Sequence, residues 1–151
     1  MLPDATAIDK ALAAIGSAEV ATTTLGLEVR VEADELVAAL EALKSGEHDF
    51  PMLVDLFGID TGEAVDIVYH VRSLSRDEDV YVKCALSYEG ELTSVWNLYP
   101  AALLPERETA ELFGLTLAGH PNPKRLLTTD GIEPLLLKSV PIRTVEEVRD
   151  R

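Results

Sequence analysis

The side chains that could support acid–base chemistry are concentrated in one stretch of this sequence, residues 105–127, which reads PERETAELFGLTLAGHPNPKRLL. Its paired carboxylates are Glu106 and Glu108. On a helix, side chains two positions apart point about 200° away from each other, so these two cannot flank one bond as the paired acids of a glycosidase must. We expect them instead to stabilise, through the helix dipole, the first turn of a helix that begins at Pro105.

The histidines and the cysteine are too scattered to indicate a metal site. His48, His70 and His120 stand on different elements, and none has a second histidine or a cysteine at ligand spacing. We expect His70 to be a solvated or hydrogen-bonded strand residue, and Cys84 to be a small buried apolar side chain.

The sequence also lacks the usual marks of a nucleotide site or an activated serine. Its nine glycines form neither GxGxxG nor GxxxxGK followed by Ser or Thr, and no serine stands in a GxSxG setting. No nucleotide cofactor is therefore indicated. A free-standing small-molecule enzyme with His70 or His120 as its base remains a weaker alternative.

What remains in the stretch has the features of a rigid corner. Arg107 and Glu111 are four residues apart, which predicts an ion pair on the exposed helix face. Gly114 is placed for a left-handed cap after Phe113, and residues 119–123, GHPNP, predict an irregular turn. Such a turn either contacts a partner or is an ordinary solvated turn, and the residues alone leave both open.

Charge and composition limit the class of protein. The 151 residues include 27 acidic and 13 basic side chains, and the formal charge of −14 argues against binding nucleic acid or an anionic lipid surface. Apolar residues make up 47% of the chain, enough to bury one core, so we expect a single domain over residues 1–151. The single cysteine fits a reducing compartment. We expect neither a signal peptide nor a membrane-spanning helix.

Residues 1–46 predict a helix–strand–helix part. Apolar spacing predicts helices over residues 4–15 and 33–44, and β-branched residues between them predict one strand over 19–31, or two strands broken at Gly26. The following segment, residues 50–59, is apolar at nearly every position and predicts a strand with both faces buried.

Alternating apolar residues predict two more strands, over residues 64–74 and 80–88, which form an antiparallel meander with the strand before them. Residues 92–99 lead into a short helical turn. Prolines in residues 128–151 predict an extended arm that ends in a charged helix. The predicted fold class is α+β, a largely antiparallel sheet with helices packed on one face and an extended C-terminal arm.

The stretch resembles the C subunit of respiratory complex I, the proton-pumping NADH:quinone oxidoreductase. This 30 kDa subunit family includes relatives in energy-converting hydrogenases. Its signature, ERExxDxFGIxFxGHPxxxRIL, is similar without a gap to residues 106–127. Residues 54–56 (VDL), 68–70 (VYH) and 96–102 (WNLYPAA) also resemble the family, so the likeness covers about residues 50–141 and includes a strand, helix and corner unit at residues 50–127.

The arm departs from the family pattern. Where the family carries a Trp-Glu-Gly-His-Pro-Leu-Arg-Lys-Asp run, residues 130–141 read DGIEPLLLKSVP, without the tryptophan and with one basic residue. The parent complex is therefore open between complex I and a hydrogenase-type relative.

The resemblance implies a non-catalytic structural subunit of the hydrophilic arm, supporting electron transfer from NADH to quinone coupled to proton translocation. It implies no cofactor on this chain, iron–sulfur clusters in partner subunits, and a peripheral position on the cytoplasmic side of the cell membrane, with membrane contact only through the complex. The implied partners are a large quinone-site or hydrogenase-like subunit and an adjacent iron–sulfur subunit. The alternative is the equivalent scaffold of a membrane-bound nickel–iron hydrogenase.

The resemblance also implies a partner interface at the helix and corner, with its cationic side chains meeting acidic or carbonyl groups of the neighbouring subunit. The predicted interface residues are Glu106, Arg107, Glu108, Glu111, Phe113, Gly114, His120, Pro121, Lys124 and Arg125.

Overall fold

The computed structural model describes residues 2–142, which form a five-stranded sheet, a two-stranded sheet and three helices. The charged helix predicted at the end of the arm lies outside the described residues. The bounds are α1 Ala5–Ala11, β1 Glu19–Thr23, β2 Gly26–Arg30, α2 Leu36–Ser45, β3 Met52–Asp60, β4 Val65–Ser73, β5 Glu78–Leu86, β6 Glu91–Thr93, α3 Leu103–Phe113 and β7 Thr116–Ala118, with 3₁₀ turns at Ala33–Glu35 and Pro100–Ala102.

The strands of the larger sheet lie in the order β1-β2-β5-β4-β3. β3, β4 and β5 are consecutive antiparallel neighbours, so the predicted meander is confirmed. β1 and β2 form a hairpin that turns at Gly26, whose φ of 140° favours glycine, and this supports the two-strand alternative. β2 also pairs in parallel with β5, with Leu27 opposite Val80. The fold is α+β, as predicted, with one parallel pair in an otherwise antiparallel sheet.

One hydrophobic core lies between the larger sheet and the helices. Ile8 of α1, Leu40 and Leu43 of α2, and Phe113 of α3 are all buried in it. Each fully buried aliphatic side chain stabilises the fold by about 1.5–3 kcal/mol. The alternation of β4 and β5 is confirmed, since their inward residues are all buried: Val65, Ile67, Tyr69, Val71, Val80, Val82, Cys84 and Leu86.

The prediction for the third strand was wrong about its burial. Residues 50–59 predicted two buried faces, but β3 is at the edge of the sheet and only its inner face is covered, by side chains such as Leu53 and Leu56. The helices pack into the core on that inner face, which leaves the outer face of β3 in contact with solvent. Four large apolar residues of β3 are therefore 42%, 42%, 37% and 43% exposed, and we call them the β3 stripe: Met52, Val54, Phe57 and Ile59.

The first helix is shorter than predicted. Asp4 caps it by accepting a hydrogen bond from the Thr6 N–H (3.0 Å), but it ends at Ala11 instead of continuing to residue 15. Beyond it, the Glu35 carboxylate accepts hydrogen bonds from the backbone N–H groups of Gly16 (3.1 Å) and Ser17 (2.8 Å). These bonds hold the connection to β1 in a non-helical turn.

The helix of the motif begins earlier than predicted. α3 starts at Leu103, directly after the 3₁₀ turn Pro100–Ala102, so Pro105 is not its first residue. Pro105 still lies in the first turn, where a backbone N–H has no helical acceptor and its absence costs nothing. The short parallel pair of β6 and β7, which was not predicted, follows from the position of α3 because these strands precede and follow it in the chain.

Candidate docking site

Helix α3 ends in the geometry that its sequence predicts. Gly114 adopts the left-handed conformation (φ 71°, ψ 35°), and the Leu115 N–H then bonds to the Ala110 carbonyl at 2.8 Å. Phe113, the last helical residue, packs closely against Gly58 of β3, where an added Cβ would lie 2.6 Å from the Phe113 ring. The missing side chain at Gly58 therefore fixes how closely α3 approaches the sheet.

Glu106 ties the start of α3 to the preceding loop. Its carboxylate is fully buried and accepts hydrogen bonds from the Val95 N–H (2.7 Å) and the Ser94 hydroxyl (2.5 Å). Burial raises the pKa of this carboxyl, and the hydrogen bonds and the nearby His120 only partly offset that effect. Glu108 is exposed, so the two carboxylates do not converge, as predicted, although Glu106 bonds to a loop rather than facing solvent in the first turn.

His120 fastens the corner of residues 119–123 to the same end of the helix. Its side chain is almost completely buried, and its Nε2 lies 2.8 Å from the Leu103 carbonyl oxygen. Its Nδ1 accepts a hydrogen bond from the Asn122 N–H at 2.9 Å, so the proton is on Nε2, which donates to Leu103. Both ring nitrogens are thus engaged, which leaves neither free to act as a base.

Arg107 and Glu111 do not form the predicted ion pair. Both side chains point to the same side of α3, but residues 124–128 lie across that side and bond to each of them separately. Arg107 donates from Nε to the Lys124 carbonyl (2.7 Å) and from Nη2 to the Arg125 carbonyl (2.9 Å). The prediction was wrong because this segment engages both side chains: its carbonyls take the donors of Arg107, and its amides take the carboxylate of Glu111.

Glu111 binds the next residues of the same segment. Its carboxylate accepts hydrogen bonds from the N–H groups of Leu126 (2.7 Å), Leu127 (3.0 Å) and Thr128, and from the Thr128 hydroxyl. Burial opposes its ionisation, but these hydrogen bonds outweigh burial and lower the pKa of Glu111 to about 2. One helix thus clamps the segment with a cation on its carbonyls and an anion on its amides.

The remaining predicted interface residues divide by exposure. Arg125 is half-buried and donates to the Ile132 carbonyl (2.9 Å) and the Thr128 hydroxyl (2.5 Å). Glu108, Pro121 and Lys124 are exposed. An open cleft of about 460 Å³ lies between α3 and this segment, with Lys124 among its lining residues. The exposed three are the members of the set best placed to touch another molecule, and the docking role itself stays a prediction.

The other residues with chemical potential lie away from this site. His70 is on β4, where its Nε2 is 2.7 Å from an Asp79 carboxylate oxygen and its ring stacks on Tyr81, so it is the hydrogen-bonded strand residue that was predicted. Cys84 is buried as predicted, and burial raises the pKa of its thiol to about 12. Within residues 2–142, no three His, Cys, Asp or Glu side chains lie close enough together to hold a metal ion.

Sequence reasoning missed the partners of the motif's charges. Ser94, Val95 and Thr128 are as important to the site as the charges themselves. They carry no local signal, because a buried carboxylate can be satisfied by any backbone N–H or hydroxyl that the fold brings near it.

Comparison with known families identifies this arrangement. The model of the respiratory-chain NADH dehydrogenase 30 kDa subunit family matches residues 29–147, which include the whole of α3 and the corner. The chain belongs to this family. The predicted resemblance to this family is confirmed. The expected association with complex I, quinone and electron transport holds for its relatives, which are subunits of NADH-quinone oxidoreductase.

Individual relatives of this chain are also subunits of NADH-quinone oxidoreductase. The C subunit of NADH-quinone oxidoreductase from Sinorhizobium medicae is 31% identical over 128 residues, which are 82% of this chain and 64% of that protein. The C subunit of a Methylobacterium species is 35% identical over 128 residues, 82% of this chain and 60% of that protein. The C/D protein of Shewanella woodyi is 32% identical over 78% of this chain but only 21% of its own length. The chain thus spans less than two thirds of these relatives.

A solved structure shares the fold. A chain of the membrane-bound sulfane sulfur reductase, an archaeal respiratory membrane complex, superposes with a TM-score of 0.76 at 23% identity, covering 96% of this chain and 88% of that one. In the described part of this chain, residues 2–142, no helix has the length and apolarity required to span a bilayer.

Proposed function

We propose that the chain is a structural subunit, without a catalytic site of its own, in the hydrophilic arm of a complex I-like NADH:quinone oxidoreductase. It supports electron transfer from NADH to quinone, and the proton translocation coupled to it, by holding neighbouring subunits in place. Iron–sulfur clusters belong to those neighbours, and the subunit sits on the cytoplasmic side of the cell membrane.

One observation carries this proposal. Three charged side chains of the family motif bond to backbone or hydroxyl groups of their own chain: Glu106 to residues 94 and 95, Arg107 to residues 124 and 125, and Glu111 to residues 126–128. A catalytic acid or base must keep a lone pair or proton available to a substrate. Charges that are fully used inside the chain serve shape instead, and a fixed shape is what a docking element requires.

The corner then presents its exposed residues to a partner. Lys124 is exposed and makes no ion pair among the described residues. Its backbone carbonyl is held by Arg107, so the clamp sets where its side chain leaves the main chain. A large quinone-site subunit with acidic or carbonyl groups facing the corner, and an adjacent iron–sulfur subunit, are the partners that this surface suits.

A second candidate function is the equivalent scaffold in a membrane-bound nickel–iron hydrogenase. It is favoured by the arm, which lacks the family's tryptophan-containing run at residues 130–141. The identity of the large subunit that copurifies with the chain separates the two candidates.

The test is copurification of the full-length tagged chain from gently solubilised membranes, with mass spectrometry of its partners. We expect quinone-site and iron–sulfur subunits. Arg107→Ala, which releases the carbonyls of Lys124 and Arg125, should lower the yield of assembled complex severalfold while the electron-transfer rate per assembled complex stays unchanged. The matched control is Glu41→Ala, an exposed charge on α2.

Two outcomes would contradict the proposal. Recovery of the chain alone would remove the subunit assignment. A normal yield of Arg107→Ala complexes with reduced electron transfer would instead assign the corner to the chemistry.

A further inference from the structure

The β3 stripe is the second surface of this chain that needs an explanation. We propose that it docks onto an apolar surface bordered by lysine or arginine side chains on a neighbouring subunit; this rests on the proposed function, because it assumes that the chain works in a complex. Met52, Val54, Phe57 and Ile59 stand along one strand, each more than a third exposed. Exposed apolar residues in a contiguous row, unlike single ones, mark an interaction surface.

The rest of the outer face is built differently. On β2, β4 and β5 this face carries ion pairs: Arg30 lies 2.9 Å from Asp66, and Lys83 lies 2.7 Å from Glu28. Cross-strand pairs of this kind make a sheet face compatible with water. Val68 of β4, opposite Phe57, is also apolar but only 1% exposed, so the stripe is the apolar part of this face that stays open to solvent.

Unpaired carboxylates run beside the stripe and define the partner's charge. Asp49 precedes β3, Asp55 lies within it, and Glu63 follows it in the turn to β4. All three are exposed, and none forms an ion pair among residues 2–142. With the chain at −14 overall, these three carboxylates favour a partner that carries cations around the apolar contact.

The partner packs on the face of β3 and does not add a strand to its edge. The pairing of β3 with β4 shifts register between Leu53 and Asp55, which is a bulge that twists the edge. The Asp55 carboxylate also accepts the Leu56 N–H at 2.8 Å. A bulge keeps an edge strand from pairing with another strand, and the Leu56 N–H is already bonded to Asp55, so the available contact is through side chains.

A second copy of this chain is a poor occupant. A two-fold axis across the stripe would place the same patch on both sides of the interface. Both copies would then bring the carboxylates of Asp49, Asp55 and Glu63 to the interface, and like charges across an interface oppose binding. A different subunit with cationic residues has no such conflict.

Photo-crosslinking in the assembled complex tests the proposal. The full-length chain, with the photoreactive residue p-benzoylphenylalanine in place of Phe57, is irradiated in the purified complex, and crosslinked peptides are identified by mass spectrometry. We expect a peptide of another subunit that combines apolar side chains with lysine or arginine. The control position is Leu74, which is 65% exposed in the turn between β4 and β5 and should not crosslink to that peptide.

Substitutions give an independent measurement. Phe57→Asp should lower recovery of the assembled complex about tenfold, because a charge replaces an apolar anchor at the centre of the contact. Leu74→Asp is the matched control and should leave recovery unchanged. If Phe57→Asp also lowers the thermal stability of the isolated chain, Glu63→Lys, an exposed turn substitution without loss of apolar area, should still reduce recovery by reversing one charge.

The failures of the two proposals are distinguishable. If the unaltered chain does not copurify with other subunits, the proposed function fails. If it copurifies, but position 57 yields no adduct, or an adduct with lipid or a second copy, or if Phe57→Asp and Glu63→Lys assemble normally, only the docking of the stripe is overturned.

Discussion

The corner beside α3 and the outer face of β3 are opposite kinds of surface on one small chain. The corner is rich in charge, yet Glu106, Arg107 and Glu111 are committed to groups of their own chain. The β3 stripe is apolar and lacks a cover from residues 2–142. The charges of the corner are the more conspicuous feature of the sequence, but they bond within the chain. The apolar β3 stripe is the surface left without a partner.

The difference separates two energetic roles. A side chain that bonds within the chain lowers the free energy of the folded monomer, and its loss is measured in unfolding. A side chain that contacts a partner contributes little to the monomer and much to association. Substitutions in the two regions should therefore change different quantities, and the following predictions test whether they do.

The largest expected effect on monomer stability is that of Glu111→Ala. It leaves three backbone N–H groups and one hydroxyl of residues 126–128 without their acceptor, at a cost of about 3 kcal/mol in the free energy of unfolding. Urea unfolding of the full-length chain measures it. Glu108→Ala, an exposed change on the same helix, should stay within about 0.5 kcal/mol. Equal effects of the two substitutions would break the distinction between clamp and surface.

The second prediction concerns how Glu111 makes the stability of the chain depend on pH. The pKa of Glu111 is about 2 in the folded chain and about 4.3 in an unfolded one. The folded state thus binds fewer protons between these values, so the stability from Glu111 is complete above about pH 4.3 and is lost as the pH falls towards 2. Urea unfolding of Glu111→Gln should show a weaker decline across this range than the unaltered chain.

Glu106 should show the opposite pH dependence of stability, because its pKa is shifted in the opposite direction. Its folded pKa is raised, so the folded state binds more protons than the unfolded one above about pH 4.3, and stability falls as the pH rises from there. Glu106→Gln should therefore weaken the decline in the free energy of unfolding as the pH rises above about 4.3, whereas Glu111→Gln weakens the decline as the pH falls below it. If both substitutions changed the pH dependence of unfolding in the same direction, the opposite pKa shifts of Glu106 and Glu111 would be contradicted.

The smallest expected effect on the monomer is that of Ile59→Thr in the β3 stripe. Residue 59 is 43% exposed, and threonine keeps the β-branched shape that suits a strand. The free energy of unfolding should fall by less than about 1 kcal/mol. A loss as large as that of Glu111→Ala would mean that the stripe belongs to the core, and the comparison would fail.

Local pattern was enough to predict most of the fold. Strand alternation found β4 and β5, and Gly114 marked the end of α3, because these features depend on neighbours in sequence. The exposure of β3 could not be read in the same way. An apolar run looks alike at the centre and at the edge of a sheet, and only the strand order β1-β2-β5-β4-β3 places it at the edge.

The sequence predicted where the site lies but not which groups its charged side chains bond to. The motif located α3 and the corner, whereas the spacing of Arg107 and Glu111 suggested that they bond to each other. The spacing is correct for a helix in isolation. It fails because residues 124–128 cover that face of the helix, a contact between distant residues that no helical repeat encodes.

The parallel pairing of β2 with β5 also has a consequence for the order of events during synthesis. Leu27 finds Val80 only after α2, β3 and β4 have been made. Until then the β1–β2 hairpin has emerged from the ribosome with one edge unmatched, and hairpins alone are marginally stable. Closure of the sheet across such a span is a slow step, so the nascent N-terminal segment is the part of this chain on which a chaperone would have the longest time to act.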